Sequence, residues 1–164
     1  MHIRTKVLGL VNIFVSVLLT AACSEITTKE GAVRYYQKNK KELREAALKI
    51  LAHPNIRVIN PRYDPNSDRD RFIEPRLAGL QEEDRKIYAE MLPVMAALDI
   101  DLINAGTDDR GTLVDFIISS WGILDNSESI SVAFIPRGDI NVRMGSSSSC
   151  VAAGDPAWFA CHSQ

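Results

Sequence analysis

Few side chains in this chain of 164 residues are candidates for nucleophiles, metal ligands or acid–base groups. They are three cysteines, three histidines and scattered carboxylates. The cysteines and histidines are Cys23, Cys150, Cys161, His2, His53 and His162. No two histidines have the H-x-x-x-H spacing of a zinc enzyme, and a structural zinc needs four ligands. There is no G-x-S-x-G nucleophile motif and no glycine loop that would cradle a phosphate. We therefore predict no catalytic residue set, no metal and no cofactor.

Asp115 and Glu128 are the carboxylates that best fit paired acid–base chemistry. A glycoside hydrolase needs two carboxyl groups, one of them in apolar surroundings that raise its pKa. Asp115 interrupts the apolar stretch TLVDFIISSW, residues 112–121, and Glu128 stands at the entry to the next predicted strand. A salt-bridged or edge-facing Asp115 would need no enzyme. Cell-wall hydrolysis by this pair is therefore an alternative and not the leading prediction.

The first 22 residues have the layout of a secretory signal peptide. Arg4 and Lys6 precede an uncharged, mainly apolar run over Val7–Leu19, and small residues follow it. A helix of that length spans about 20 Å, whereas the hydrocarbon core of a bilayer is about 30 Å thick. The pattern therefore predicts export and not a membrane-spanning helix.

Residues 20–23, TAAC, resemble the lipobox of bacterial lipoproteins. That family usually has a Leu, two small residues and then Cys; here Thr20 takes the place of the Leu, which stands one position earlier as Leu19. The resemblance implies cleavage before Cys23, lipidation of Cys23 with acyl chains such as palmitate, and anchoring to a membrane through that lipid. Ser24, where an Asp would signal inner-membrane retention, implies the periplasmic face of the outer membrane. Cleavage near Ala22 without lipid, giving a soluble periplasmic or secreted protein, is the alternative.

The number of cysteines fits this resemblance. An odd count in an exported protein leaves one thiol to explain. If Cys23 carries lipid, Cys150 and Cys161 remain as a pair, and an oxidising periplasm lets a disulfide between them persist. The intervening Gly154-Asp155-Pro156 can reverse the chain and bring the two cysteines together. We predict a Cys150–Cys161 disulfide, with two reduced and buried thiols as the alternative.

The chain divides into a signal peptide over 1–22, a lipidated tether over 23–28 and a single domain over 29–164. Removal of residues 1–22 takes away Arg4 and Lys6 and no acid, which leaves 17 basic and 21 acidic residues and a formal net charge of −4. A chain this mildly acidic lacks the basic footprint of a nucleic-acid-binding protein. We predict no nucleic-acid partner.

Hydrophobic periodicity predicts two helices in the first part of the domain. Thr27 and Glu30 are spaced as a capping box, and the apolar residues that follow predict a helix to about Ala52. A second helix is predicted over about 81–98, with a kink at Pro93 because proline removes a backbone donor.

From residue 100 the period changes to two, which predicts strands. The strands predicted after residue 100 cover residues 100–105, 112–121, 129–135, 140–144 and 157–161, and residues 56–59, between the two helices, are a short strand candidate. The serine run Ser146–Ser149 is predicted to be a loop. Short connections favour an antiparallel meander, so the predicted fold class is α+β, with two N-terminal helices packed on about four to five strands.

Small size, a predicted disulfide, a membrane tether and the lack of a catalytic set predict a non-enzymatic, protein-binding periplasmic lipoprotein. One concrete version is an immunity protein against a periplasmic toxin. An assembly or accessory lipoprotein of an envelope machine is an alternative, and the wall hydrolase is another. The expected partners are the membrane, through the lipid on Cys23, and another protein.

Overall fold

Two helices and an antiparallel sheet make up the domain in the computed structural model, which describes residues 26–62, 80–108, 111–121, 127–137, 140 and 147–164. The helices are α1 (Lys29–Leu51) and α2 (Glu82–Leu98). The strands are β1 (Val58–Ile59), β2 (Leu102–Asp108), β3 (Gly111–Trp121), β4 (Glu128–Arg137), β5 (Ser148–Ala152) and β6 (Trp158–Ser163). The α+β class is confirmed, and the described residues form a sheet of six strands where four to five were predicted.

The N-cap of helix α1 is one residue later than predicted. The Thr28 side chain, and not that of Thr27, accepts a hydrogen bond from the Gly31 N–H at 3.1 Å. An N-cap threonine satisfies one of the donors that a helix start leaves unpaired. The residues that α1 buries recur at three- and four-residue spacing, as an amphipathic helix requires. They are Ala32, Tyr36, Leu43, Ala46, Ala47 and Ile50.

The irregular helix position lies in α1 and not at the predicted proline. Asn39 has non-helical angles (φ −113°, ψ 19°), and its Nδ2 donates to the Tyr35 carbonyl at 3.1 Å. Helix α2 continues through Pro93 as one element, so the predicted kink is not confirmed. Pro93 lies on the exposed side of α2, as does Ala89, where water can satisfy the carbonyl that loses its partner.

The strand order is β1-β2-β3-β4-β6-β5, and every neighbouring pair is antiparallel. Strands β2, β3 and β4 follow one another as a meander, but β6 then pairs with β4 and leaves β5 at the edge. Ser148 and Ser149 belong to β5, so the loop prediction was wrong for these two serines. Of the strand predicted over 140–144, residues 141–144 lie outside the described residues.

The two faces of the sheet differ in what covers them. Both helices contribute to the main core, which buries Val114, Phe116 and Val132 on one face. Trp158 lies at the centre of that core, with its ring centroid 4.8 Å from those of Tyr36 and Phe134. The opposite face carries a smaller buried cluster of Ala133, Ile135 and Cys161.

The turn between β5 and β6 is fastened to α1. Gly154 (φ 108°) and Ala157 (φ 67°) reverse the chain with left-handed backbone angles. Between them, the Asp155 Oδ2 accepts from the Tyr36 hydroxyl at 2.5 Å and pairs with the Lys40 Nζ at 2.6 Å. The turn therefore holds the β5–β6 hairpin in a fixed position against the helix.

Candidate functional site

The predicted carboxylate pair does not come together. Asp115 lies opposite Ala133, whereas Glu128 lies opposite Trp121, five residues away along β4. At about 3.3 Å per residue the two positions are roughly 16 Å apart, and an odd separation places them on opposite faces. Two-carboxylate hydrolases hold their carboxyl groups about 5–9.5 Å apart. The Asp115–Glu128 hydrolase site is therefore not formed.

Asp115 is buried on the sheet face that the helices do not cover. It is 8 % exposed, and the Ser131 hydroxyl is its hydrogen-bond partner. Its Oδ1 atom has no hydrogen-bond partner among the residues that the structure describes. Removal of water from the carboxylate raises the pKa of Asp115 to about 6, against the lowering effect of Ser131. Asp115 therefore keeps its proton to a higher pH than an ordinary aspartate does.

Glu128 instead pairs with a histidine at the end of the sheet. The His162 Nε2 and the Glu128 Oε2 lie 2.9 Å apart, and the His162 ring stacks on Trp121 with centroids 6.0 Å apart. His162 lies opposite Ile130 on the helix side, whereas Cys161, the next residue, faces the other side. No thiolate–imidazole pair forms here, because Cys161 is bonded to Cys150.

A second histidine–carboxylate pair, which sequence reasoning missed, joins the ends of the two helices. The His53 Nδ1 lies 3.0 Å from the Asp84 Oδ1, and the Asn55 Nδ2 donates to the Asp84 Oδ2 at 2.9 Å. Asp84 is 5 % exposed. The hydrogen bond from Asn55, followed by that from His53, holds the pKa of Asp84 below its usual value.

The residue spacing in α2 indicates that Asp84 is buried and needs a partner. Asp84 stands four residues before Tyr88, and Met91 and Met95 continue the same buried stripe. A charged residue in register with an apolar stripe must find donors inside the protein. Its position in the first helical turn also suits a carboxylate, because the helix N-terminus carries partial positive charge.

The predicted disulfide between Cys150 and Cys161 is present and crosses from β5 to β6. The two residues are direct cross-strand partners with Cα atoms 4.1 Å apart. Closing the short loop between them stabilises the fold by about 3 kcal/mol in the chain-entropy model. The hairpin is thus covalently fixed at its middle.

Cys23, the predicted lipidation site, lies outside the described residues, as do the signal peptide and the first half of the tether. Within the ranges that the structure describes, no helix is long and apolar enough to cross a membrane. The same ranges contain no group of three or more metal-ligating side chains.

Neither the protein-family models, nor the curated proteins, nor the solved structures contain a match to this chain. The interpretation of the site therefore depends on its own residues.

Proposed function

We propose that this chain is a lipoprotein, anchored through Cys23 at the periplasmic face of the outer membrane, whose domain binds another protein and catalyses no reaction. An immunity protein that blocks a periplasmic toxin is the version that we would test first.

The observation that supports the location is the disulfide. A Cys150–Cys161 bond suits an oxidising compartment and accounts for two of the three cysteines. Cys23 remains, within a TAAC segment that resembles a lipobox and follows a signal-like sequence. The disulfide and the signal thus point to the same compartment by independent routes.

The non-enzymatic part of the proposal is supported by the contacts of the candidate residues. Asp84 is held by Asn55 and His53, and Glu128 pairs with His162. These contacts tie elements of the fold together, and Glu128 is too far from Asp115 along the sheet to act as the second carboxylate that hydrolysis would need.

Lipidation is tested by growing cells that express the full chain with a palmitate analogue. We expect label on the wild-type protein and none on Cys23→Ser, while Cys150→Ser, as the matched control, keeps the label. Equal labelling of the wild type and Cys23→Ser would contradict lipidation at this position.

The absence of catalysis is tested by incubating the wild type and Asp115→Asn with purified peptidoglycan. We expect no digestion by either protein. Digestion by the wild type that Asp115→Asn abolishes would overturn the non-enzymatic proposal.

A further inference from the structure

Strand β5 forms one edge of the sheet, and its hydrogen bonds to β6 show which of its backbone groups point outward. The Ala153 N–H donates to the Trp158 carbonyl, and the Gln164 N–H donates to the Ser147 carbonyl. Hydrogen-bonded pairs alternate along an antiparallel ladder, so the odd-numbered residues of β5 bond inward to β6. The N–H and C=O groups of Ser148, Cys150 and Ala152 therefore point away from the sheet. No strand pairs with them among the described residues.

This edge lacks the features that usually protect an edge strand. Natural proteins place charges, prolines or bulges there, or keep the strand very short. The sequence of β5, SSCVA, contains no charge and no proline, and Val151 is 40 % exposed. The opposite edge, β1, has only two residues, and Pro61 follows closely. The two edges thus differ in their capacity to accept another strand.

Contacts within the domain also hold strand β5 in place without a partner. The disulfide fixes its centre to β6, and the Asp155 contacts fix the turn that follows it. The Lys29 Nζ donates to the Ser149 Oγ at 2.6 Å and ties the start of β5 to α1. A preformed edge lowers the ordering cost of binding.

Positive charge lies beside this edge. Ser149 and Val151 pair with His162 and Ala160, so their side chains lie on the helix side of the sheet. Lys29 contacts Ser149 there. Further along α1, four cations and one acid line a shallow groove, and one of these cations, Lys40, also pairs with Asp155 of the β5–β6 turn. The residues of this groove are Gln37, Lys38, Lys40, Lys41, Glu42 and Arg44. An acidic segment is the electrostatic complement of this side of the edge.

We propose that an extended, acidic segment of a partner protein adds to the sheet alongside β5 as a further strand, an inference that rests on the proposed protein-binding function. Backbone hydrogen bonds to Ser148, Cys150 and Ala152 hold the segment, as in other cases of strand addition. Its side chains on the helix side are apolar beside Val151 and acidic near Lys29. A second copy of this chain is disfavoured, because an antiparallel β5–β5 pair would bring two basic α1 helices to the same face.

The test places a photo-cross-linking amino acid at Val151 of the full chain, expressed in the envelope of its own host. Leu48, which is 54 % exposed on α1, provides an apolar control position. We expect a discrete adduct with another protein from position 151 and a much weaker one from position 48. Mass spectrometry of the adduct should identify a cross-linked segment that contains Asp or Glu.

Backbone pairing is tested by adding Ala152→Pro, which removes an outward N–H and leaves the inward bonds to β6 in place. Loss of one hydrogen bond of about 1 kcal/mol corresponds to roughly fivefold weaker binding. We expect Ala152→Pro to lower the adduct yield about fivefold. Lys29→Glu should lower the yield about threefold, and Ala152→Ser should leave it unchanged. Circular dichroism checks folding, and Ser148→Pro replaces Ala152→Pro if the latter unfolds.

The other outcomes separate this inference from the proposed function. An adduct of twice the chain's mass would replace the partner segment with a second copy. Adducts from Leu48 and not from Val151, or equal yields from the proline and serine variants, would overturn the edge site while protein binding stands. No protein adduct from any exposed position would overturn protein binding itself.

Discussion

Asp84 and Asp115 are both buried, at 5 % and 8 % exposure, yet their surroundings move their pKa values in opposite directions. Asp84 accepts from Asn55 and His53, and those donors hold its pKa below the usual value despite burial. Asp115 has Ser131 as its hydrogen-bond partner, and burial raises its pKa to about 6. The number of donors, and not burial alone, decides whether a buried carboxyl is ionised at neutral pH.

The ionised carboxylate of Asp84 stabilises the fold, whereas that of Asp115 destabilises it. The Asp84 network joins the turn after α1 to the first turn of α2, so its charge stabilises the fold. The Oδ1 of Asp115 has no partner in the described part of the chain, so ionisation of this residue opposes folding.

Asp84→Ala should lower the free energy of unfolding by about 2–3 kcal/mol at pH 7, because it removes the buried carboxylate that accepts hydrogen bonds from Asn55 and His53. Urea denaturation measures the change. Glu83→Ala, an exposed acid in the same turn, is the matched control and should change stability by less than about 0.5 kcal/mol. Equal effects of the two substitutions would show that the Asp84 network contributes nothing specific.

Asp115→Asn should change the pH dependence of stability. The pKa of folded Asp115, about 6, lies above that of an unfolded aspartate, so the folded state binds the proton more tightly. The stability that this residue contributes is therefore present at low pH and is lost as the pH rises through about 6. Between pH 4 and pH 7 the stability difference should shift in favour of the variant by about 1–3 kcal/mol.

Thermal or urea unfolding at several pH values measures that shift. Asp115→Leu, which also removes the titrating group, should lose the same part of the pH dependence. Curves for the wild type and Asp115→Asn that stay parallel from pH 4 to pH 7 would contradict the raised pKa.

Asp84→Asn should give the opposite sign. The pKa of folded Asp84 is below that of the unfolded residue, so its stabilisation is present above the unfolded pKa and is lost as the pH falls through the folded value. The advantage of the wild type over the variant, about 1–2 kcal/mol near pH 7, should therefore shrink in acid. Unfolding measured from pH 7 down to pH 2 tests this, and an advantage that grows in acid would reverse the assignment.

Ser131→Ala should lower the free energy of unfolding by about 1 kcal/mol, because it removes one hydrogen bond. The Ser131 hydroxyl lowers the pKa of Asp115, so its loss should move that pKa further upward. Carbon-13 NMR of the Asp115 carboxyl, followed against pH, measures the midpoint in both proteins. An unchanged midpoint would mean that Ser131 does not influence the carboxyl.

Several features were predictable because their causes are local. The apolar spacing in α1 and α2 and the alternation in β3 place these elements within one to two residues. Asp115 stood out because it interrupts an apolar strand, and the number of cysteines predicted the disulfide. The Thr28 cap was missed by one residue, because Thr27 and Thr28 have the same capping chemistry.

Other features depended on strand pairing. Asp115 and Glu128 are close in sequence, but the register of β3 and β4 separates them along the sheet and across its faces. The serine run predicted a loop at Ser148 and Ser149, but pairing with β6 makes them strand residues. The donors of Asp84 come from the turn after α1, about thirty residues earlier in the chain.

Local patterns in the sequence account for the helices, most of the strands and the Cys150–Cys161 disulfide. These follow from local periodicity and composition, because side-chain direction repeats every 3.6 residues in a helix and every two in a strand. The strand order, the edge position of β5 and the donors available to each buried carboxyl depend on the tertiary structure. Hydrogen bonds between strands and between distant side chains join residues that no local pattern relates, so the opposite pKa shifts of Asp84 and Asp115 arise only in the folded domain.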